Sequence, residues 1–511
     1  MSQQQQPAEI TYVVVRRRPA TSAPAGSGET PRDPDRPAHF PLRAHIRRRR
    51  RRTPPQWARR WDFWLAFLLG AFLRLWSINS SRFLDDWKGM DQAGLMTLAR
   101  EGWLYGALPV TGIPSSIQTL NSPISVYLLL PFALFGPNPL PAILSVALWN
   151  ALGVALCYIF AQRYFGRLVA AIGTLLFATA GMAVNQSRFL WQQNYLPPLI
   201  LLWAITLYAG CVRGKRGWLA PNVLLLAIAA LLHPTALLLA PATLLGVLLA
   251  PRRPRFREYL ASAAICLLLL APTLLWELVS GGADVALLRA YLTQRSSINL
   301  SVFAKLVEIL GVPASTDVGK SSLYALFGKG YLALDGLLTL LFLAGWLILT
   351  ADVIAPGLRL WRSWRAAATD PSGAATTGWG RWLALARSLW LGLRADGAWR
   401  ALLLLWLWVT LPIALLLRHS STLYSHYLIP LFPAAFLLMA WAIVWLERRA
   451  PRMVSRIESR SSSRMTPRLM LLARVSALTL TLLLVTAQLG ASMLYIGSVA
   501  SGRFDAGVSS Y

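Results

Sequence analysis

From Trp61 to Gly497 the chain is a succession of apolar runs of about 17 to 25 residues, each long enough to cross a hydrocarbon core. Short polar segments separate them, and most of these are rich in Arg. Neither the two-residue alternation of a half-buried strand nor the charged stripe of a soluble amphipathic helix recurs. The pattern predicts an all-α polytopic integral membrane protein. Placing each basic segment on the cytoplasmic side gives eleven crossings, at 61–79, 139–161, 168–186, 196–212, 218–232, 235–250, 259–279, 331–351, 401–417, 428–446 and 469–496. The apolar piece 123–136 is short and contains Pro123 and Pro131. Counting it as a span would put the basic stretch QRYFGR at 162–167 outside, so it reads as interfacial or re-entrant.

Three regions follow. Residues 1–56 are a Gln-, Pro- and Arg-rich tail with no apolar periodicity, predicted to be disordered and cytoplasmic. Residues 57–446 form the transmembrane module, with external loops at 80–138 and 280–330. Residues 447–511 hold a basic linker, the last span and a short external C-terminus. Within 280–330, ADVALLRAYLTQR and LSVFAKLVEIL read as helices that lie along the membrane or cap a cavity.

The composition is 56% hydrophobic with 14% charged, which excludes a soluble multidomain protein. A net charge of +29 would favour nucleic acid in a soluble chain. Here its Arg residues sit between spans and fix orientation, so no nucleic-acid partner is expected. The three cysteines, Cys157, Cys211 and Cys266, lie inside apolar runs and read as packing.

The arginines alone set this topology, so the location of the other reactive side chains is an independent observation. His233, His419 and His426 all fall at outer ends of spans, as do Arg188, Gln192, Gln193, Asn194, Arg418 and Tyr427. Three carboxylates, Asp85, Asp86 and Asp91, follow the first span with Lys88 among them, and Arg74 lies on that span's outer part. Each alone is open to a solvated-end reading. Together they form a site suited to an anionic, lipid-linked substrate, with cations for a phosphate and a carboxylate to take a proton. Asp91 has two readings: N-cap of the helix that follows, or base. Asp85 and Asp86 read as a second carboxylate or a solvated turn. Only the loose His419 and His426 pair approaches the spacing of metal ligands; no cofactor is required, and a divalent cation is possible without being indicated.

The segment DQAGLMTLARE, Asp91 to Glu101, resembles the acidic motif D-E-x-x-x-x-x-x-A-R-E that follows the first span in GT-C membrane glycosyltransferases, with Gln92 where Glu is usual. The likeness is to the branch of protein O-mannosyltransferases, aminoarabinose transferases and galacturonosyltransferase-like proteins. In order, SPISVYLLLPFALFG, QRYFGRLVAAIGTLL, SRFLWQQNYLPPLILL, LLHPTALLLAP and HYLIPLFPAAFLL resemble further stretches of that family. In the third of these the family often has an Asp, where this chain has Gln193 and Asn194.

The resemblance implies a GT-C helix bundle that transfers a sugar from a polyprenyl-phosphate donor to an extracytoplasmic acceptor, with inversion and Asp91 as base. Arg74, Lys88, Arg188, His233, Arg418, His426 and Tyr427 are then candidates for holding the donor phosphate, and Gln92, Gln193 and Asn194 for polar contacts to substrate. Membrane lipids and the donor are the expected partners, and a bacterial inner membrane with the N-terminus cytoplasmic is the expected location. A lipid or solute transporter is the rival. It would show internal repeats or mid-membrane charges, and the sequence shows neither clearly.

Overall fold

The first apolar run folds as α1 (Trp61–Leu75), and its acidic first turn explains where it sits. Asp62 accepts a hydrogen bond from the Tyr158 hydroxyl (2.7 Å) and two from the Arg167 guanidinium (3.0 and 3.1 Å). Tyr158 lies on α4 (Leu140–Tyr164) and Arg167 opens α5 (Arg167–Thr179), so one carboxylate joins three helices. The α4–α5 turn needs Gly166, whose φ of +97° is closed to most side chains.

This computed structural model describes residues 60–80, 86–115, 117–311, 330–368, 378–420, 422–457 and 466–501. After α1 come α2 (Asp86–Leu104) and the short α3 (Ile124–Ala133), which pack on each other; the Trp103 indole donates to the Leu130 carbonyl at 2.6 Å. Past the α4–α5 hairpin are α6 (Gly181–Gln186), α7 (Leu196–Cys211), α8 (Leu219–Leu232), α9 (Ala240–Leu249) and α10 (Phe256–Val279). The two helices expected in the 280–330 loop are α11 (Ala283–Leu292) and α12 (Ser301–Leu310). The second buries Val302, Leu306, Ile309 and Leu310 along one face. Then follow α13 (Gly330–Ala368), α14 (Gly378–Ala395), α15 (Gly397–Leu416), α16 (Ala434–Ile457) and α17 (Thr466–Ala500). A two-residue antiparallel pair, β1 (Ser297–Ile298) with β2 (Arg418–His419), joins the α11–α12 loop to the end of α15.

The core lies where α4, α5, α7 and α16 meet, and residues 434–440 of α16 are wholly buried. Close approach of α5 to α16 requires Gly173, where an added Cβ would lie 3.2 Å from Leu437 Cα. At the periphery, α10 turns Leu267, Leu268 and Leu278 outward, as a lipid-facing helix does.

Among the described residues six helices are long and apolar enough to cross a membrane, or seven if the bent pair Ser425–Leu431 and Ala434–Arg449 is one span. The sequence pattern predicts eleven. The difference falls on runs that fold as shorter or broken helices. The 168–186 run breaks at Ala180, between α5 and α6. The 218–250 stretch turns at His233-Pro234, leaving 14 residues in α8, about 21 Å. α1 is 15 residues long, about 22 Å. The 123–136 piece, expected not to span, holds the ten-residue α3.

The basic ends meet one another. Arg400, at the start of α15, donates to the Cys211 carbonyl ending α7 at 2.7 Å, and Arg394 donates to the Ala250 carbonyl after α9 at 2.9 Å. With the Arg167–Asp62 pair, these contacts gather the arginine-bearing ends on one side of the bundle. The polar cluster described next lies at the other ends of the same helices.

Candidate active site

Asp91 lies inside α2, five residues after the helix begins at Asp86. An N-cap residue precedes its helix with extended backbone angles, so the capping reading of Asp91 is overturned. The side chain is half-buried, and its Oδ2 accepts the indole N–H of Trp191 at 2.8 Å.

Trp191 is aimed by a turn with little freedom. Between α6 and α7 the chain passes through a 3-10 segment at Gln192–Tyr195. Asn150 of α4 donates to the Asn194 carbonyl (2.8 Å), the Trp149 indole donates to the Tyr195 carbonyl (3.0 Å), and the Ser145 and Tyr195 hydroxyls bond at 2.8 Å. Inside the turn the Asn194 amide donates to the Phe189 carbonyl at 3.0 Å. Gln193 and Asn194 are thus buried parts of the scaffold.

The other face of the site comes from the 3-10 segment Ser425–Leu431, the bent entry to α16. Its axis is bent 61° from the helix that follows. His426 lies against Trp191 (centroids 4.7 Å), stacks on Tyr424 (5.5 Å, 9°) and meets Tyr427 edge-on at 4.7 Å. His233, at the end of α8, completes the cluster, 5.6 Å from His426 and 5.4 Å from Tyr427. The structure therefore brings together Asp91, His233, His426 and Tyr427 from three separate stretches of sequence.

His233 bonds the Thr235 hydroxyl through Nδ1 at 2.8 Å. Close packing pushes its pKa down to about 4, because burial disfavours the imidazolium. It is neutral at physiological pH and able to donate or accept a hydrogen bond. A neutral ring can meet a phosphate only through a hydrogen bond.

Other candidates lie elsewhere. The Arg188 guanidinium donates to the carbonyls of Leu73 (3.0 Å), Arg74 (3.2 Å) and Ser77 (3.1 Å), so it closes the end of α1. Burial lowers its pKa to about 10, which leaves it charged at neutral pH. Arg74 is fully buried and donates to the Gly70 and Ala178 carbonyls, both at 3.0 Å, tying α1 to α5. Open phosphate-binding roles for these two arginines are not what the geometry shows. Arg418 is exposed on β2 and donates to the Ser296 hydroxyl at 2.8 Å. Asp86 and Lys88 are in the first turn of α2, and Asp85 lies outside the described residues. His419 bonds Ser301 and the Leu416 carbonyl, outside the ring cluster.

Two members of the site were not anticipated. Trp191 and Tyr424 are aromatic side chains, and a search for charged and polar span ends passes over them. The signal for Trp191 was its place directly before the Gln192-Gln193-Asn194 cluster. The acceptor oxygens of Gln92 and Gln192, next in sequence to Asp91 and Trp191, are buried with no donor among the described residues. Such acceptors suit a ligand bearing hydroxyl groups.

Residues 122–276, from just before α3 to near the end of α10, match the family model described as dolichyl-phosphate-mannose-protein mannosyltransferase. The chain is similar to GT-C glycosyltransferases. The matched stretch holds Trp191 and His233, while Asp91 and His426 flank it. No curated protein matches the sequence. Among solved structures, ArnT from Cupriavidus metallidurans bound to undecaprenyl phosphate aligns with 16% identity and a TM-score of 0.39, over 86% of this chain and 75% of its own. The apo form aligns with 17% identity and a TM-score of 0.41, over 86% and 74%. The archaeal oligosaccharyltransferase AglB from Archaeoglobus fulgidus, in complex with an inhibitory peptide and a dolichol-phosphate, aligns with 13% identity and a TM-score of 0.41. That alignment covers 86% of this chain and 56% of AglB.

Proposed function

We propose that the protein transfers a sugar from a polyprenyl-phosphate donor to a hydroxyl acceptor on the extracytoplasmic face of the membrane, with Asp91 as base. The carrying observation is the position of Asp91: a half-buried carboxylate inside a helix, held by an indole N–H and facing a cluster of aromatic and imidazole rings. The family match to a dolichyl-phosphate-mannose-dependent enzyme supports this donor class.

In the reaction the acceptor oxygen forms a bond to the anomeric carbon as the bond from that carbon to the lipid phosphate breaks. The acceptor proton passes to the Asp91 carboxylate, and the bonding electrons leave with the phosphate. A single displacement inverts the anomeric centre. The leaving group is a stable anion, so the chemistry demands no strong general acid. His426 is the candidate within the cluster for stabilising its growing charge, and Tyr427 and neutral His233 for hydrogen bonds to the sugar or phosphate; Lys88 and Arg418 are candidates from the sequence alone. Gln92 and Gln192 offer acceptors to sugar hydroxyls. With the arginine-bearing ends cytoplasmic, the site faces away from the cytoplasm, in the inner membrane of a bacterium.

The test is transfer from radiolabelled polyprenyl-phosphate mannose, and from other polyprenyl-phosphate sugars, to membrane acceptors by purified protein, with and without a chelator. Asp91→Asn is expected to lower transfer about 100-fold or more. Its thermal unfolding should match the wild type. Equal transfer by the folded variant removes Asp91 as base, and movement of label across vesicles without covalent product favours the transporter.

A further inference from the structure

We infer that Trp191 is a positioning residue for the proposed reaction, fixing the Asp91 carboxylate through its indole N–H; this rests on Asp91 being the base. A carboxylate at the end of an Asp side chain turns freely about a broad torsion, so an unheld base presents its oxygens in many directions. The 2.8 Å bond to Oδ2 removes that freedom. Indole donates and cannot accept, so it keeps the carboxylate an acceptor and takes no proton from it.

The donor is itself held twice. Its backbone is in the turn that Asn150, Trp149 and Ser145 fasten to α4. Its ring packs against Phe189, at 6.0 Å, and His426, at 4.7 Å. The resembled family often places an Asp in this turn. Here Gln193 and Asn194 are buried in the scaffold, and the side chain that reaches Asp91 is an uncharged donor. An N–H donated to a carboxylate favours the charged form, whereas a second carboxylate sharing the site pushes one toward protonation.

Trp191→Phe keeps the ring against His426 and removes only the N–H. Two readouts follow. The first is the pH dependence of transfer from polyprenyl-phosphate mannose or whichever polyprenyl-phosphate sugar the wild type uses. The second is the pH dependence of carbodiimide labelling at Asp91, read by mass spectrometry, which needs no substrate and reports on this carboxyl alone. Site-specific labelling matters because the ionisable side chains of His233, His426, Tyr424 and Tyr427 cluster beside Trp191, and a rate profile does not single out Asp91.

The expected result is a labelling midpoint and an acid limb of kcat/KM both moved to higher pH by about one unit. kcat should fall at pH 6 with donor KM nearly unchanged, and Trp191→His, which restores a ring N–H, should recover part of it. Midpoint and limb both at wild-type values overturn the inference. A loss of kcat equal at every pH with the labelling midpoint unmoved also overturns it, since packing alone accounts for that. If Asp91→Asn still transfers sugar, the base assignment falls, and the labelling midpoint then separately decides whether Trp191 governs the Asp91 carboxyl.

Discussion

Arg188 donates from Nη1 to the backbone carbonyl of Leu73 at 3.0 Å, across 115 residues of sequence. The last carbonyls of a helix have no partner within it, and in α1 they end in a buried place. One guanidinium closes three carbonyls there, those of Leu73, Arg74 and Ser77, and its charge suits the negative end of the helix dipole. Arg188→Ala is therefore expected to destabilise the protein by about 3 kcal/mol, because the acceptors stay buried when their donor is lost. Arg188→Lys recovers only part, since an ammonium lacks the planar fork. Thermal unfolding in detergent reads both. An unchanged melting profile with weakened donor binding would instead return Arg188 to the phosphate.

Acidification should act through His233. Its folded-state pKa is pushed down to about 4, below the ordinary value of 6.5 given for an unburied imidazole. Between those values the unfolded chain binds a proton that the folded one refuses. Stability is thus fully present above about pH 6.5 and is lost as pH falls toward 4, by up to about 3 kcal/mol and by less for a ring that is only half-buried. Wild-type protein should lose melting temperature from pH 7 to pH 4.5 more steeply than His233→Gln. Parallel curves would show that His233 does not titrate in this way.

The helical bundle and the gathering of polar chemistry at one end were legible in the sequence, because apolar run length and Arg placement answer directly to the bilayer. His233, His426 and Tyr427 stand out by their positions at span ends and Asp91 by the resemblance of DQAGLMTLARE, and the fold brings the four together. The start of α2 was misjudged. The Asp85-Asp86 pair looks like a turn, yet the helix begins at Asp86 and carries Asp91 in its interior. The partnership with Trp191 was not legible, since it joins residues 100 apart through a side chain without charge. The arginines were legible as charges and not as caps. The carbonyls that Arg74 and Arg188 serve belong to the backbone, which has no signature in residue type.

At the opposite end of α1, the exposed Arg167 closes on a carboxylate that is almost wholly buried: the side chains are 51% and 5% accessible. Asp62 also takes the Tyr158 hydroxyl, so three donors compensate its removal from water. Removing one partner of such a group costs more than the pair contributes, because the other charge stays buried. Arg167→Ala is expected to cost about 2 to 3 kcal/mol. Adding Asp62→Asn to it should restore at least about 1 kcal/mol of that, a coupling typical of residues in contact. Neither change should alter the pH profile of transfer, as the pair sits with the arginine-bearing ends, away from Asp91. Additive losses in the melting temperatures of the single and double variants would show that the carboxylate is stable there without its arginine, and that α1 is anchored by packing alone.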